Sequence, residues 1–96
     1  MEDSEMENLI VPHSSRTNTA FNAYQAIGIA EGFEECSNPE VQIEAWAYIG
    51  QRGLHRGLQG FFGRTLQQFV DQEILHPDFT INWDIVDDMI SYAGEE

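Results

Sequence analysis

The sequence predicts an all-α protein, a small four-helix bundle with an extended N-terminal strap, and three observations support this prediction. Apolar residues recur at helical spacing in four separate stretches. Asn or Thr residues that favour helix starts precede several of them. A chain of 96 residues, 42% of them hydrophobic, is the size of one domain with one core. We therefore expect a mobile acidic head and strap over residues 1–18, one helical domain over 19–93 and an acidic tail at 94–96.

The first two helices are predicted over residues 19–33 and 39–50. The first follows Asn18 or Thr19, either of which is a suitable cap, and its apolar stripe is rich in small residues. The second has the clearest start signal in the chain, because Asn38 can cap it and Pro39 suits the first helical position.

Residues 54–74 predict one long helix with two unlike faces, and residues 50–57 are either a sharp corner or a kinked continuation of the second helix. Large apolar side chains occupy one face, and glycines and arginines share the other. Since each helical glycine costs about 1 kcal/mol relative to alanine, the second face needs a physical reason. It is a close contact with a neighbouring helix, or a site for a second copy, a partner or an anionic ligand. The candidate residues are Arg52, Arg56, Gly57, Gly60, Gly63 and Arg64.

The fourth helix is predicted over residues 82–93, with Asn82 as its cap. Pro77 ends the preceding helix, and Phe79 and Ile81 are expected to fold back as an extended plug. The four apolar faces together predict a core of Tyr24, Ile27, Trp46, Ile49, Leu58, Phe62, Leu66, Phe69, Ile85, Val86 and Met89.

Charge is the most unusual property of the sequence. It contains 17 acidic residues and four arginines but no lysine, for a formal net charge of -13. This balance argues against binding to nucleic acid or to an anionic membrane, and a basic protein is the natural partner. Solubility, or adaptation to a salty cytoplasm, is the alternative explanation. The candidate partner-binding carboxylates are Glu31, Glu34, Glu35, Asp84, Asp87 and Asp88.

Motifs that carry catalysis are missing from the sequence. The glycines at 53–60 lack the Gly-Lys-Ser/Thr ending of a phosphate-binding loop, and the three histidines are too scattered for a ligand set. We therefore expect no enzyme, no metal and no cofactor. A single cysteine, Cys36, fits a reducing compartment, and the acidic N-terminus is unlike a signal peptide, so a cytoplasmic location is expected.

A resemblance covers about a third of the chain. Ala45-Trp46-Ala47-Tyr48-Ile49, then Gly53-Leu54, then the run from Leu58 to Thr65 resemble a small family of bacteriophage early proteins. Its pattern is A-W-x-x-L/I, then G-L, then L-Q-G-W-F-G-R-T, and Phe61 stands here in place of the common tryptophan. The resemblance implies a phage origin and the host cytoplasm, and it implies no activity.

Two main functional hypotheses follow from the two charged surfaces. In the first, a phage protein presents its carboxylates to a host nucleic-acid-binding protein, such as a defence nuclease or polymerase, and inhibits it as a DNA mimic. In the second, the glycine and arginine face associates with a second copy to form a homodimer, in a structural or assembly role. A third hypothesis has Arg52, Arg56 and Arg64 binding an anionic signalling nucleotide.

Overall fold

The computed structural model describes residues 9–32 and 38–94, the last four through their backbone alone, and this part of the chain is all-α. That fold class was predicted and is confirmed. Its elements in chain order are α1 (Ala23–Glu31), α2 (Pro39–Gln51), a short 3₁₀ helix (Leu54–Gly57), α3 (Gly60–Asp71) and α4 (Trp83–Gly94).

The central element of the fold is α2. It begins as predicted, because the side chain of Asn38 accepts a hydrogen bond from the backbone N–H of Glu40 at 2.9 Å and Pro39 takes the first helical position. Every residue from Glu44 to Gly50 is buried. A helix that is buried on all sides for two turns must have neighbours all around it, so α2 forms the axis of the domain.

An aromatic cluster joins α3 to the middle of α2. The Trp46 ring lies 5.7 Å from the rings of both Phe62 and Phe69 and 6.2 Å from the ring of Phe61, measured between centroids. Such distances are typical of favourable aromatic pairs. The buried hydrophobic core consists of Phe21, Ala26, Ala45, Trp46, Ala47, Tyr48, Ile49, Phe62, Leu66, Ile74, Leu75, Ile81 and Val86.

The prediction of the core is wrong for two residues. Tyr24 is 79% exposed on α1 and Met89 is 47% exposed on α4. Among their described side chains both helices bury only a narrow stripe, in which Ala26 and Val86 are fully buried. The remaining predicted core residues are buried or pack half-buried against the core.

The first helix starts four residues later than predicted. Asn18 has a φ of 61°, in the left-handed region, and cannot cap a helix there. Asn22 caps α1 instead, and its side chain accepts a hydrogen bond from the backbone N–H of Gln25 at 2.8 Å. Gly32, with a φ of 87°, ends the helix.

The single long helix predicted over residues 54–74 is wrong. Gly53 has a φ of 71°, a left-handed conformation that ends α2 and precedes the 3₁₀ helix. Leu58 and Gln59 are then extended, so α3 starts anew at Gly60. The chain therefore turns a corner between α2 and α3, and the glycines of residues 53–63 do not share one helical face.

The segment between α3 and α4 folds back on α2, but the predicted extended plug is wrong at Phe79, whose φ of 67° is left-handed. Leu75 and Ile81 form an isolated antiparallel bridge, and Ile81 is buried. The Phe79 ring lies directly over Gly50, where an added Cβ would come within 2.6 Å of its Cγ atom. Gly50 is thus required by the approach of this ring, and α4 begins at Trp83, immediately after Asn82.

The predicted strap pairs through its backbone. The N–H of Ile10 donates to the carbonyl of Phe21 at 2.9 Å, and the N–H of Phe21 donates back at 2.8 Å. The apolar side chains of Leu9, Ile10 and Val11 are nevertheless 38 to 46% exposed. The predicted acidic head and the last two residues of the tail lie outside the described residues.

Candidate functional site

A buried carboxylate organises the N-terminal loop, which we define as residues 12–19. Glu44 of α2 is 0% exposed. Its Oε1 accepts hydrogen bonds from the hydroxyls of Ser15 at 2.7 Å and Thr17 at 2.8 Å. Its Oε2 accepts from the backbone N–H groups of Arg16 and Thr17, each at 3.0 Å. Four donors replace the water that the carboxylate loses on burial, so the charge is accommodated in the core.

Arg16 joins the N-terminal loop to two helices. Its guanidinium donates to the carboxylate of Glu40 on α2, through Nε at 3.0 Å, and to both carboxylate oxygens of Asp87 on α4. It also lies 4.1 Å from the ring centroid of Trp83, a cation–π distance. The hydrogen bonds from Arg16 lower the pKa of Asp87, and those to Asp87 and Glu40 raise the pKa of Arg16.

The same loop is fixed at its other end by Ser14 and Gln51. The Ser14 hydroxyl accepts from the N–H of Ile81 at 2.7 Å, and its carbonyl accepts from the indole N–H of Trp83 at 2.6 Å. The Gln51 amide binds the backbone of His13 and donates to the carbonyl of Phe79 at 2.7 Å. The N-terminal loop thus joins α2, α4 and the segment between α3 and α4.

The predicted acidic residues have different roles in the structure. Asp87 forms an ion pair with Arg16 that joins α4 to the N-terminal loop. Asp84 and Asp88 are exposed, lie four residues apart on α4 and have no hydrogen bond or ion pair within the described residues. We call these two residues the α4 acidic face. Glu31 is also exposed and unpaired there, whereas the predicted Glu34 and Glu35 lie outside the described residues.

The three other arginines lie at the corner between α2 and α3, and we call Arg52, Arg56 and Arg64 the arginine corner. All three are exposed, and within the described residues none is bonded to a carboxylate. The Arg52 guanidinium lies 5.7 Å from the ring centroid of Tyr48. Residues 45–70 contain no Asp or Glu, so the arginine corner has no acidic neighbour close to it in the sequence.

The predicted glycine face does not receive a neighbouring helix at its exposed positions. A Cβ added to Gly57 would meet nothing within 4 Å, and one added to Gly60 would meet only the Arg64 guanidinium, at 3.0 Å. Gly63 is half-buried, and its Cβ position is 4.0 Å from the His55 ring. The internal contact expected at Gly57 and Gly60 is not found, whereas contact with another molecule stays a prediction.

The exposed charges are separated along α2. Glu40 lies in the first turn of this helix, and the Arg16 contacts bring Asp87, next to Asp88, to the same end. Arg52 ends the helix 12 residues later, which is about 18 Å at the helical rise of 1.5 Å per residue. Among the described residues, α2 therefore has an acidic end, with Glu40, Asp87 and Asp88, and a basic end at Arg52.

Other sites for chemistry are few in the described part of the chain. No three His, Cys, Asp or Glu residues come together there as they would to bind a metal ion. The Nδ1 atom of His55 is buried without a hydrogen-bond partner, and its ring packs against Phe79 with a centroid distance of 5.7 Å. None of the described helices has the length and apolar character needed to cross a membrane.

Comparison of the chain with family models, curated proteins and solved structures finds no match.

Sequence reasoning missed Glu44 and Arg16. Glu44 interrupts the apolar stripe of α2 next to Ala45 and Trp46, and an acid at such a position is a signal for a buried, hydrogen-bonded carboxylate. The run of hydroxyl-bearing residues at 14–19 supplies the donors it needs.

Proposed function

We propose that this protein binds a basic, nucleic-acid-binding protein through its acidic end and blocks the nucleic-acid site of that protein. The observation that carries the proposal is the free α4 acidic face. In a chain of formal net charge -13, Asp84 and Asp88 remain exposed and unpaired within the described residues, whereas Asp87 is engaged by Arg16. Carboxylates that are not used by the fold are available to imitate phosphates.

The packing of α4 supports a rigid display of these charges. Val86 of this helix is 2% exposed, and the Arg16 bond to Asp87 fixes the helix to the N-terminal loop. A charged surface that is held in place before binding loses less conformational entropy when it meets its partner. Electrostatic complementarity of this kind mainly raises the association rate and selects the partner.

The wider setting is part of the same proposal. We infer that the four helices form one bundle, with the strap of residues 9–11 along it, and that the protein has a phage origin and acts in the host cytoplasm. The resemblance of residues 45–65 to the phage early proteins supports this origin, and a defence nuclease or polymerase is the kind of target that such a protein would inhibit.

The test is capture of partners from bacterial lysate with the immobilised full chain, followed by binding of each purified partner. Asp84→Asn with Asp88→Asn removes two charges from the α4 acidic face. Asp71→Asn with Glu73→Gln removes two exposed charges elsewhere and is the matched control. We expect the first variant to lose binding of a nucleic-acid-binding protein by about tenfold or more, and the control to keep it. Equal binding by both variants would refute the proposal.

A further inference from the structure

The arginine corner has a complement on the same molecule, and we propose that the arginine corner of one copy binds the α4 acidic face of a second copy, head to tail. The contact joins Arg56 and Arg64 of one copy to Asp84 and Asp88 of the next. It is a surface distinct from the N-terminal loop, and it does not depend on the proposed partner.

The first argument is the pairing of the arginines. With 17 acidic residues and four arginines, every arginine could have an internal carboxylate partner. Arg16 binds two of them, yet Arg56 and Arg64 bind none within the described residues. Because their guanidinium groups are exposed and bind no carboxylate in the described part of the chain, an external carboxylate binds them without breaking an ion pair there.

The second argument is the match between the two surfaces. Asp84 and Asp88 are one helical turn apart on α4, about 6 Å between Cβ atoms, and present two carboxylates side by side. Guanidinium groups bind carboxylates through two parallel hydrogen bonds each. Each of the two arginines can thus bind one aspartate through a pair of charge-assisted hydrogen bonds.

The net charge of -13 opposes association of two copies, but distance limits this opposition. At physiological salt, charges are largely screened beyond a Debye length of about 8 Å. The acidic and basic ends of α2 are about 18 Å apart at 1.5 Å per residue. Charges near the start of α2 in one copy are therefore largely screened from a copy bound near Arg52, whereas the opposite charges at the contact are screened least.

The two surfaces are different, so the contact is heterologous and leaves one free surface at each end of the assembly. Such a contact adds copies as concentration rises and does not stop at a dimer unless a ring closes. Exposed ion pairs are individually weak, so this association is measurable at high protein concentration and at physiological salt, where the repulsion between distant carboxylates is screened.

Sedimentation velocity of the full chain at about 0.15 M and about 0.5 M salt tests the proposal, because the higher salt also screens the charges at the contact. At about 0.15 M salt the average mass of the wild type should rise with concentration, and at about 0.5 M salt it should fall to that of a monomer. Arg56→Gln with Arg64→Gln should weaken association about tenfold, since two charge-assisted contacts are lost. Tyr24→Glu with Gln25→Glu lowers the net charge by the same amount at two exposed positions of α1 and should associate nearly as the wild type does.

A charge exchange gives the sharpest result. Arg56→Glu with Arg64→Glu makes both surfaces acidic, and Asp84→Lys with Asp88→Lys makes both basic, so each variant alone should be monomeric. An equal mixture restores opposite charges at both contacts and should associate as the wild type does. A wild type that stays monomeric at every concentration, or a mixture that does not associate, overturns the proposal. Circular dichroism of each variant shows that it is folded.

This result is separable from the proposed function. The arginine variants should lose self-association and keep the nucleic-acid-binding partner, because that partner contacts the α4 acidic face. Loss of partner binding in the aspartate variants with normal self-association would contradict the head-to-tail contact and leave the proposed function standing.

Discussion

Replacing Glu44 by Ala removes the acceptor of four hydrogen bonds inside the protein. The hydroxyls of Ser15 and Thr17 can rotate toward other acceptors, but the backbone N–H groups of Arg16 and Thr17 cannot. Both N–H groups lie in part-buried hydrogen bonds, and a donor left there without a partner costs about 1 to 3 kcal/mol, so the two together cost about 2 to 6 kcal/mol. That is a large part of the roughly 5 to 15 kcal/mol that stabilises a typical domain.

The assays are urea unfolding, which gives the free energy of unfolding, and a thermal scan, both followed by the fluorescence of Trp46 and Trp83. For a chain of this size a loss of about 2 kcal/mol or more lowers the melting temperature by at least about 8 °C. Glu44→Gln should lose less stability than Glu44→Ala, because its amide oxygen still accepts from both N–H groups. Glu31→Ala, which removes an exposed carboxylate unpaired within the described residues, is the control and should stay within about 0.5 kcal/mol of the wild type. A Glu44→Ala variant as stable as that control would refute the reasoning.

Two further predictions concern packing and pH. Gly50→Ala should lower the melting temperature, because its Cβ would lie 2.6 Å from the Phe79 ring. Gly57→Ala should keep or raise the melting temperature, because its Cβ would meet nothing within 4 Å. Equal effects of the two substitutions in a thermal scan would contradict the packing described. Arg16 lowers the pKa of Asp87 in the folded state, so this pair contributes stability above the unfolded pKa of about 3.9 and loses it as pH falls through the lower folded value. Asp87→Asn should therefore be less stable than the wild type at neutral pH, with a difference that narrows in acid, and a difference that is constant with pH would exclude this role.

Local signals in the sequence were sufficient for the helical class and for much of the core. Asn38 and Pro39 start α2 as their chemistry requires, and the helical spacing of Trp46, Phe62 and Leu66 places them correctly in the interior. These features depend on residues within a turn or two of each other, so they could be read without knowing the fold.

The remaining features depend on contacts between distant residues. Arg16 meets a carboxylate 71 residues away, and nothing near either residue in the sequence indicates that contact. Periodicity alone continued the third helix through residues 54–59, because the left-handed conformation of Gly53 and the extended Leu58 have no effect on apolar spacing. Sequence spacing also predicted Asp84, Asp87 and Asp88 as three equivalent residues. In the structure Asp87 forms an ion pair with Arg16.

The central claim is that the carboxylates of the acidic end occupy the nucleic-acid site of the partner protein. The most direct measurement is the dissociation constant between the wild-type protein and its captured partner, determined by calorimetry as salt is raised and again in the presence of duplex DNA. We predict that the constant rises at least about tenfold between 50 mM and 200 mM salt and that DNA displaces the protein from its partner. A constant that is insensitive to salt, or a complex that holds the protein and DNA at the same time, would contradict the account.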